Sequence, residues 1–204
     1  PYQFKPVLKL LETGKARILI ADEVGLGKTI EAGLIWTELE ARQEADRVLV
    51  VSPSNLTEKW QCEMERRFGF EARVLDRQEL DRFLTKHLEN NLPRRLAYVA
   101  SMETLRAWDG LEYLEEHPPQ FDLVIVDEAH SMRNRETRTY QLGSHLSEWA
   151  DNLVFLTATP INLRQGDLSN LLELLVPEDF GSVDDLQLRL EPNKIINDVT
   201  ATLN

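Results

Sequence analysis

The sequence predicts an α/β fold: a doubly wound, mainly parallel sheet with helices on both faces. Three observations point there. Six short runs rich in Val, Ile and Leu recur at residues 16–21, 47–52, 72–75, 96–101, 122–127 and 152–157. Two of them, Val48-Leu49-Val50-Val51 and Leu123-Val124-Ile125-Val126, are apolar without alternation, as strands covered on both sides must be. Stretches of helical composition separate the runs, and in such a strand-helix-strand order ligands sit beyond the carboxyl ends of the strands.

The first run feeds Asp22-Glu23-Val24-Gly25-Leu26-Gly27-Lys28-Thr29, and a helix follows over residues 30–41. A strand that stops at a glycine turn and passes into a helix aims backbone N–H groups and the positive helix end at one small volume, which suits phosphate. Gly25 and Gly27 permit positive φ and close backbone approach. Lys28 would neutralise the outer phosphates of ATP and the Thr29 hydroxyl would ligate Mg2+, the physical content of a P-loop. The strict P-loop pattern has glycine where Asp22 stands, so the match from spacing alone is partial, and a plain strand-to-helix turn with a solvated lysine fits the same residues.

The second strand, 47–52, leads into a helix over 55–68. A short strand at 72–75, a helix at 78–89 and a strand at 96–101 follow. The run at 122–127 is the most hydrophobic and delivers Asp127-Glu128-Ala129-His130 at its outer end, on the edge predicted for the glycine turn. One carboxylate there can hold a hydrated Mg2+ while the next orients a water for in-line attack. This assigns metal binding to Asp127 and water activation to Glu128. Taken alone, the pair equally describes a solvated acidic turn or a helix N-cap at Asp127; the glycine turn on the same edge is what favours a site. A helix at 139–149 and a strand at 152–157 come next. That strand ends in Thr157-Ala158-Thr159-Pro160, whose hydroxyls would hydrogen-bond the carboxylates or His130 and so report nucleotide state. Read singly, it is a β-branched strand end that Pro160 forbids to continue. Leucines at helical spacing mark a last helix over 167–176, stopped by Pro177. Residues 1–177 thus form one nucleotide-binding unit. The acidic, poorly periodic residues 178–204 form a connector or the start of a subdomain.

Bulk properties narrow the function. With 204 residues, 42% hydrophobic and 28% charged, the chain can bury one good core. A single cysteine, Cys62, rules out an internal disulfide framework and a cysteine-rich zinc site, which suits a reducing, cytoplasmic setting. No apolar run reaches the roughly 18–20 residues of a membrane span, so no membrane partner is expected. The net charge of -12 has the wrong sign for a domain that wraps nucleic acid, so any such contact is local, weak and steeply salt-dependent. A chain opening on Pro1 and not Met reads as part of a longer protein.

Gln3, Gly25-Leu26-Gly27-Lys28-Thr29, Asp127-Glu128-Ala129-His130 and Thr157-Ala158-Thr159-Pro160, in that order, resemble the first RecA-like lobe of superfamily 2 helicases, specifically the SNF2 branch. In that branch Asp at position 22 is the usual residue. The wording through Ile30-Glu31-Ala32 is most similar to bacterial RapA-like members and phage-defence relatives. The resemblance implies an ATP site built by Gln3, Asp22, Glu23, Gly25, Leu26, Gly27, Lys28 and Thr29, with Gln3 reading the adenine edge. It implies catalysis by Lys28, Asp127, Glu128 and His130, metal at Thr29 and Asp127, and coupling through Thr157 and Thr159. Ser52 and Pro53, with Leu56 and Trp60, resemble motif Ia; Ser101-Met102-Glu103-Thr104-Leu105 resembles motif Ib. Both motifs contact the phosphates of one nucleic-acid strand, and Arg133 and Asn134 are further candidates for that face. Each of these residues also suits loop packing or helix capping, and Trp60 a core aromatic. Ile161-Asn162-Leu163-Arg164 stands where the family often has Gln-Asn, so no contact beyond Pro160 is carried over.

The resemblance further implies a second RecA-like lobe carrying an arginine finger, for which residues 178–204 have no room. The expected function is the ATP-binding lobe of an enzyme that couples hydrolysis to double-stranded DNA translocation or nucleoprotein remodelling. Expected partners are the duplex backbone, the second lobe, and RNA polymerase or a defence complex. The alternatives are a strand-separating lobe acting on RNA or single-stranded DNA, and a silent module clamped by nucleotide.

Overall fold

The computed structural model describes residues 17–21, 27–158 and 165–177. Within them the apolar runs form one six-stranded sheet. Strands β1 (Arg17–Ala21), β2 (Arg47–Ser52), β3 (Arg73–Leu75), β4 (Leu96–Ser101), β5 (Phe121–Val126) and β6 (Ala150–Thr157) lie in the order β1-β6-β5-β2-β4-β3, every neighbouring pair parallel. Parallel neighbours need long crossovers. These carry α1 (Lys28–Ala41), α2 (Thr57–Phe68), α3 (Arg77–Leu88), α4 (Met102–Arg106), α5 (Leu111–Glu116), α6 (Arg138–Trp149) and, beyond β6, α7 (Gln165–Leu175).

The unbroken apolar runs follow from helices on both faces. Leu123, Val124, Ile125 and Val126 of β5 are all at 0% exposure, although successive side chains of a strand point to opposite sides. Leu123 and Ile125 join Val50, Val154 and Leu156 against Ile35, Trp36 and Leu39 of α1 and Trp60 and Met64 of α2. Val124 and Val126 join Phe155 against Leu142 and Leu146 of α6 and Leu171 and Leu174 of α7. Each such burial is worth about 1.5–3 kcal/mol, which is why the middles of the central strands, Val48–Val51, Leu123–Val126 and Leu153–Leu156, are apolar throughout.

Side-chain caps open α3, α4 and α6. Asp76 accepts the Glu79 N–H at 2.8 Å to open α3, and Thr137 accepts the Tyr140 N–H at 3.2 Å to open α6.

The structure refines several sequence-based boundaries. Strand β5 ends at Val126, so Asp127 is the first residue past it. Strand β6 begins at Ala150, earlier than the apolar run, because Ala150 itself turns extended at the end of α6. Residues 55–56, expected in a helix, belong to a 3-10 turn at Ser54–Leu56 after Pro53. Helices α4 and α5 were not legible, being too short to display a 3.6-residue period. No helix among the described residues is long and apolar enough to cross a membrane.

Candidate functional site

The parallel register brings the carboxyl ends of five strands to one rim. Ala21 pairs with Thr157, Val51 with Val126, and Ser52 with Ser101, so the carboxyl ends of β1, β6, β5, β2 and β4 share an edge. Strand β6 lies between β1 and β5. The ends of β1 at Ala21 and of β5 at Val126 are therefore two strand spacings apart, about 10 Å, with Thr157 between them. Gln3, Asp22, Glu23, Gly25, Leu26 and Thr159 lie outside the described residues.

Gly27 opens α1 at φ 99 and ψ 27, a left-handed conformation that glycine adopts without steric cost. Its carbonyl accepts the N–H groups of Ile30 and Glu31 at 2.8 and 3.0 Å. Gly27 brings no capping side chain, unlike the residues that open α3 and α6. A helix start without its own carboxylate or hydroxyl cap is the form that suits an external anion. Lys28 and Thr29, the first two residues of this helix, are half-buried.

Asp127 extends the ladder one residue beyond β5, its N–H donating to the Val51 carbonyl at 2.8 Å. Its side chain is nearly buried, at 8% exposure for the residue, and held at both oxygens. Oδ1 accepts the Glu128 N–H at 2.9 Å and Oδ2 accepts the Trp60 indole N–H at 2.8 Å. Each oxygen keeps lone-pair capacity for a further donor or a metal's water. Glu128 takes a left-handed backbone, φ 50 and ψ 42, which costs a non-glycine residue about 1–2 kcal/mol. The turn swings the chain off the sheet into a 3-10 turn at Ala129–Met132 and leaves the Glu128 carboxylate part-exposed at the rim. His130 Nδ1 lies 3.1 Å from Glu128 Oε2 and 3.4 Å from the Thr157 hydroxyl. With its proton on Nδ1, His130 donates to Glu128, and Thr157, fully buried at the end of β6, makes the longer contact.

The segments expected to face nucleic acid divide in two. Ser52 is fully buried, Ser101 is nearly so, and their hydroxyls are engaged locally. The Ser101 Oγ caps α4 by accepting the Thr104 N–H at 2.9 Å and donates to Thr104 Oγ1 at 2.7 Å. The exposed part of this rim is the turn at Ser54 and Asn55. There the Ser54 N–H donates to Glu103 Oε2 at 3.0 Å, joining the two segments. Arg133 donates to the His130 carbonyl at 3.0 Å and approaches Asp167 at 3.8 Å. Asn134 caps the next turn, accepting the Glu136 N–H at 3.1 Å. With His130 and Asp167 they line an open hollow of about 510 Å3.

The donor set fits magnesium in one form only. Among the described residues no three His, Cys, Asp or Glu side chains gather to hold a metal ion by themselves. A hard cation held by one carboxylate, with phosphate oxygens and waters completing its shell, matches a lone oriented Asp127 at this rim.

Comparison with known proteins agrees with this architecture. The sequence profile described as SNF2-related domain matches residues 5–198. A Bacillus subtilis (strain 168) protein named as an uncharacterized ATP-dependent helicase, YqhH, is 32% identical over 187 residues, covering 92% of this chain and 31% of that protein. A solved structure, the Sulfolobus solfataricus SWI2/SNF2 ATPase core in complex with dsDNA, superposes with a TM-score of 0.70 at 19% identity, over 92% of this chain and 37% of that one. The chain thus spans about a third of the length of these relatives.

Proposed function

This chain belongs to the SNF2-related domain family, and we propose that it is the ATP-binding lobe of an enzyme that couples ATP hydrolysis to movement along double-stranded DNA or to nucleoprotein remodelling. The observation that supports this reading is the common rim, on which β1, the strand before Gly27, and β5, the strand before Asp127, lie on either side of β6. Lys28 and the first-turn N–H groups of α1 take the phosphates, and Asp22, Glu23, Gly25, Leu26 and Gly27 complete the nucleotide site. Gln3 takes the adenine. Thr29 and Asp127 hold Mg2+, which when bound neutralises phosphate charge. Glu128 orients and deprotonates the attacking water, His130 fixes the Glu128 carboxylate, and Thr157 with Thr159 relays the state of the site along β6.

The site test is direct. Lys28→Ala in the full-length protein should weaken binding of a non-hydrolysable ATP analogue by about two orders of magnitude or more, the loss expected when a charge-assisted phosphate contact is removed. Calorimetry reads it, and unchanged affinity would refute the placement of the phosphates at this turn.

Double-stranded DNA is the proposed track, gripped on its backbone by the segments at Ser52–Pro53 and Ser101–Thr104 and by Arg133 and Asn134. Such contacts position a duplex without reading its sequence. A family relative solved with dsDNA bound supports this choice. The acidic net charge of -12 makes the grip of this lobe weak at moderate salt. The rest of the protein supplies the second RecA-like lobe. We further propose a RapA-like setting in the cytoplasm, with RNA polymerase or a defence complex as partner; the wording of residues 22–32 is what supports it. The full-length ATPase should rise with added duplex and less with single strands. Absence of duplex stimulation, or efficient strand separation, would replace translocation with the helicase reading.

A further inference from the structure

We propose that Trp60 is a positioning residue for Asp127, holding its carboxylate in the orientation in which it takes a divalent cation; this deepens the reading of Asp127 above and rests on it. The indole Nε1 donates to Oδ2 at 2.8 Å from a side chain only 2% exposed. The Glu128 N–H donates to Oδ1 at 2.9 Å. Two donors on two different oxygens fix both the tilt and the twist of a carboxylate, whereas one would leave it free to rotate. Trp60 is suited to the task by chemistry: an indole N–H is a donor only, carries no charge and does not titrate. It therefore orients Asp127 without neutralising the charge a cation would meet, which a lysine or arginine in its place would do.

The fold leaves this donor little freedom. Trp60 sits in the first turns of α2, packed in the same cluster as Met64, Val50 and Ile125. The α2 helix starts directly from the Ser54–Leu56 turn, held by the Thr57 hydroxyl donating to the Ser54 carbonyl at 3.1 Å. The indole that orients Asp127 thus belongs to the segment proposed to meet the duplex backbone.

The experiment compares Trp60→Phe and Asp127→Asn in the full-length protein. Trp60→Phe keeps an aromatic ring in the core and removes the N–H. Mn2+ uptake in the presence of a non-hydrolysable ATP analogue is read by electron paramagnetic resonance, and metal-free analogue affinity by calorimetry. Loss of a partner that orients a metal ligand costs about 10- to 100-fold in metal affinity. Trp60→Phe should weaken Mn2+ uptake by that factor while metal-free analogue affinity stays at the wild-type value. Asp127→Asn should abolish uptake. If Asp127→Asn abolishes uptake and Trp60→Phe matches wild type, the role of Trp60 is wrong and the site reading stands. If Asp127→Asn keeps wild-type uptake and turnover, the site reading itself falls. Equal loss of metal-free affinity in Trp60→Phe would make Trp60 a general support of the fold and overturn the proposal. Should circular dichroism show Trp60→Phe unfolded, benzothienylalanine at position 60 places sulfur where the N–H stands, with the indole shape kept, and the same outcomes decide.

Discussion

Glu128→Gln in the full-length protein is expected to lower ATP turnover by about 10²- to 10⁴-fold, the usual worth of a positioned general base, while affinity for a non-hydrolysable ATP analogue is unchanged. The separation of the two effects follows from geometry. Asp127 is nearly buried and tied at both oxygens, a side chain built to stay still. Glu128, one residue on, is turned out of the sheet by a left-handed backbone, leaving its carboxylate 30% exposed with His130 beside it. Adjacent residues of the same chemical type thus stand in two environments, one suited to holding a cation and the other to meeting water. Glutamine keeps the size and can still contact His130, so the turn and the phosphate contacts persist and only the capacity to take a proton goes. Steady-state turnover and calorimetry on one preparation check both halves. Wild-type turnover in Glu128→Gln would show that the carboxylate performs no chemistry and would favour a nucleotide-clamped interaction module.

Much of this arrangement is legible in the sequence. The sheet was readable because both faces are covered, so Val48–Val51 and Leu123–Val126 had to be apolar throughout. The common rim is readable because in a parallel sheet every strand delivers its end to the same edge; Thr157 closes β6 there and Asp127 follows directly on β5. What was not legible is instructive in physical terms. The left-handed backbone at Glu128 has no signature in a run such as Asp-Glu-Ala-His, since it is imposed by the turn leaving β5 and not by residue preference. The bond from Trp60 to Asp127 joins residues far apart in the chain, and the tryptophan reads equally well as a core aromatic, which it also is. Ser52 and Ser101 lie in segments that resemble phosphate-contacting motifs, and nothing in those motifs tells how deeply the two side chains sit. The fold buries both, and Ser101 caps α4, a helix too short to announce itself. Short polar side chains at strand ends serve capping and ligand contact equally, and spacing cannot separate the two.

The chain by itself is expected to hydrolyse ATP about 10³- to 10⁵-fold more slowly than the full-length protein at saturating ATP and duplex, the range attached to an arginine finger in related phosphoryl transfer. In the proposed site Lys28 meets the phosphates from one side and Asp127 and Glu128 from the other, all from a single rim of one sheet. That rim can bind the ground state, because phosphate charge is present before reaction. Charge that develops on the transferring phosphoryl oxygens needs a further cation on the open side, preorganised and shielded from water. The family resemblance assigns that cation to a second lobe, and the chain spans 31% and 37% of relatives that are correspondingly longer. Binding and turnover should therefore part company on truncation, with analogue affinity surviving in the isolated chain and hydrolysis collapsing. Parallel turnover assays and calorimetry on the two proteins decide it. Robust turnover by the chain alone would mean that one of its own side chains completes the site, and would remove the reason to look for a partner across a cleft.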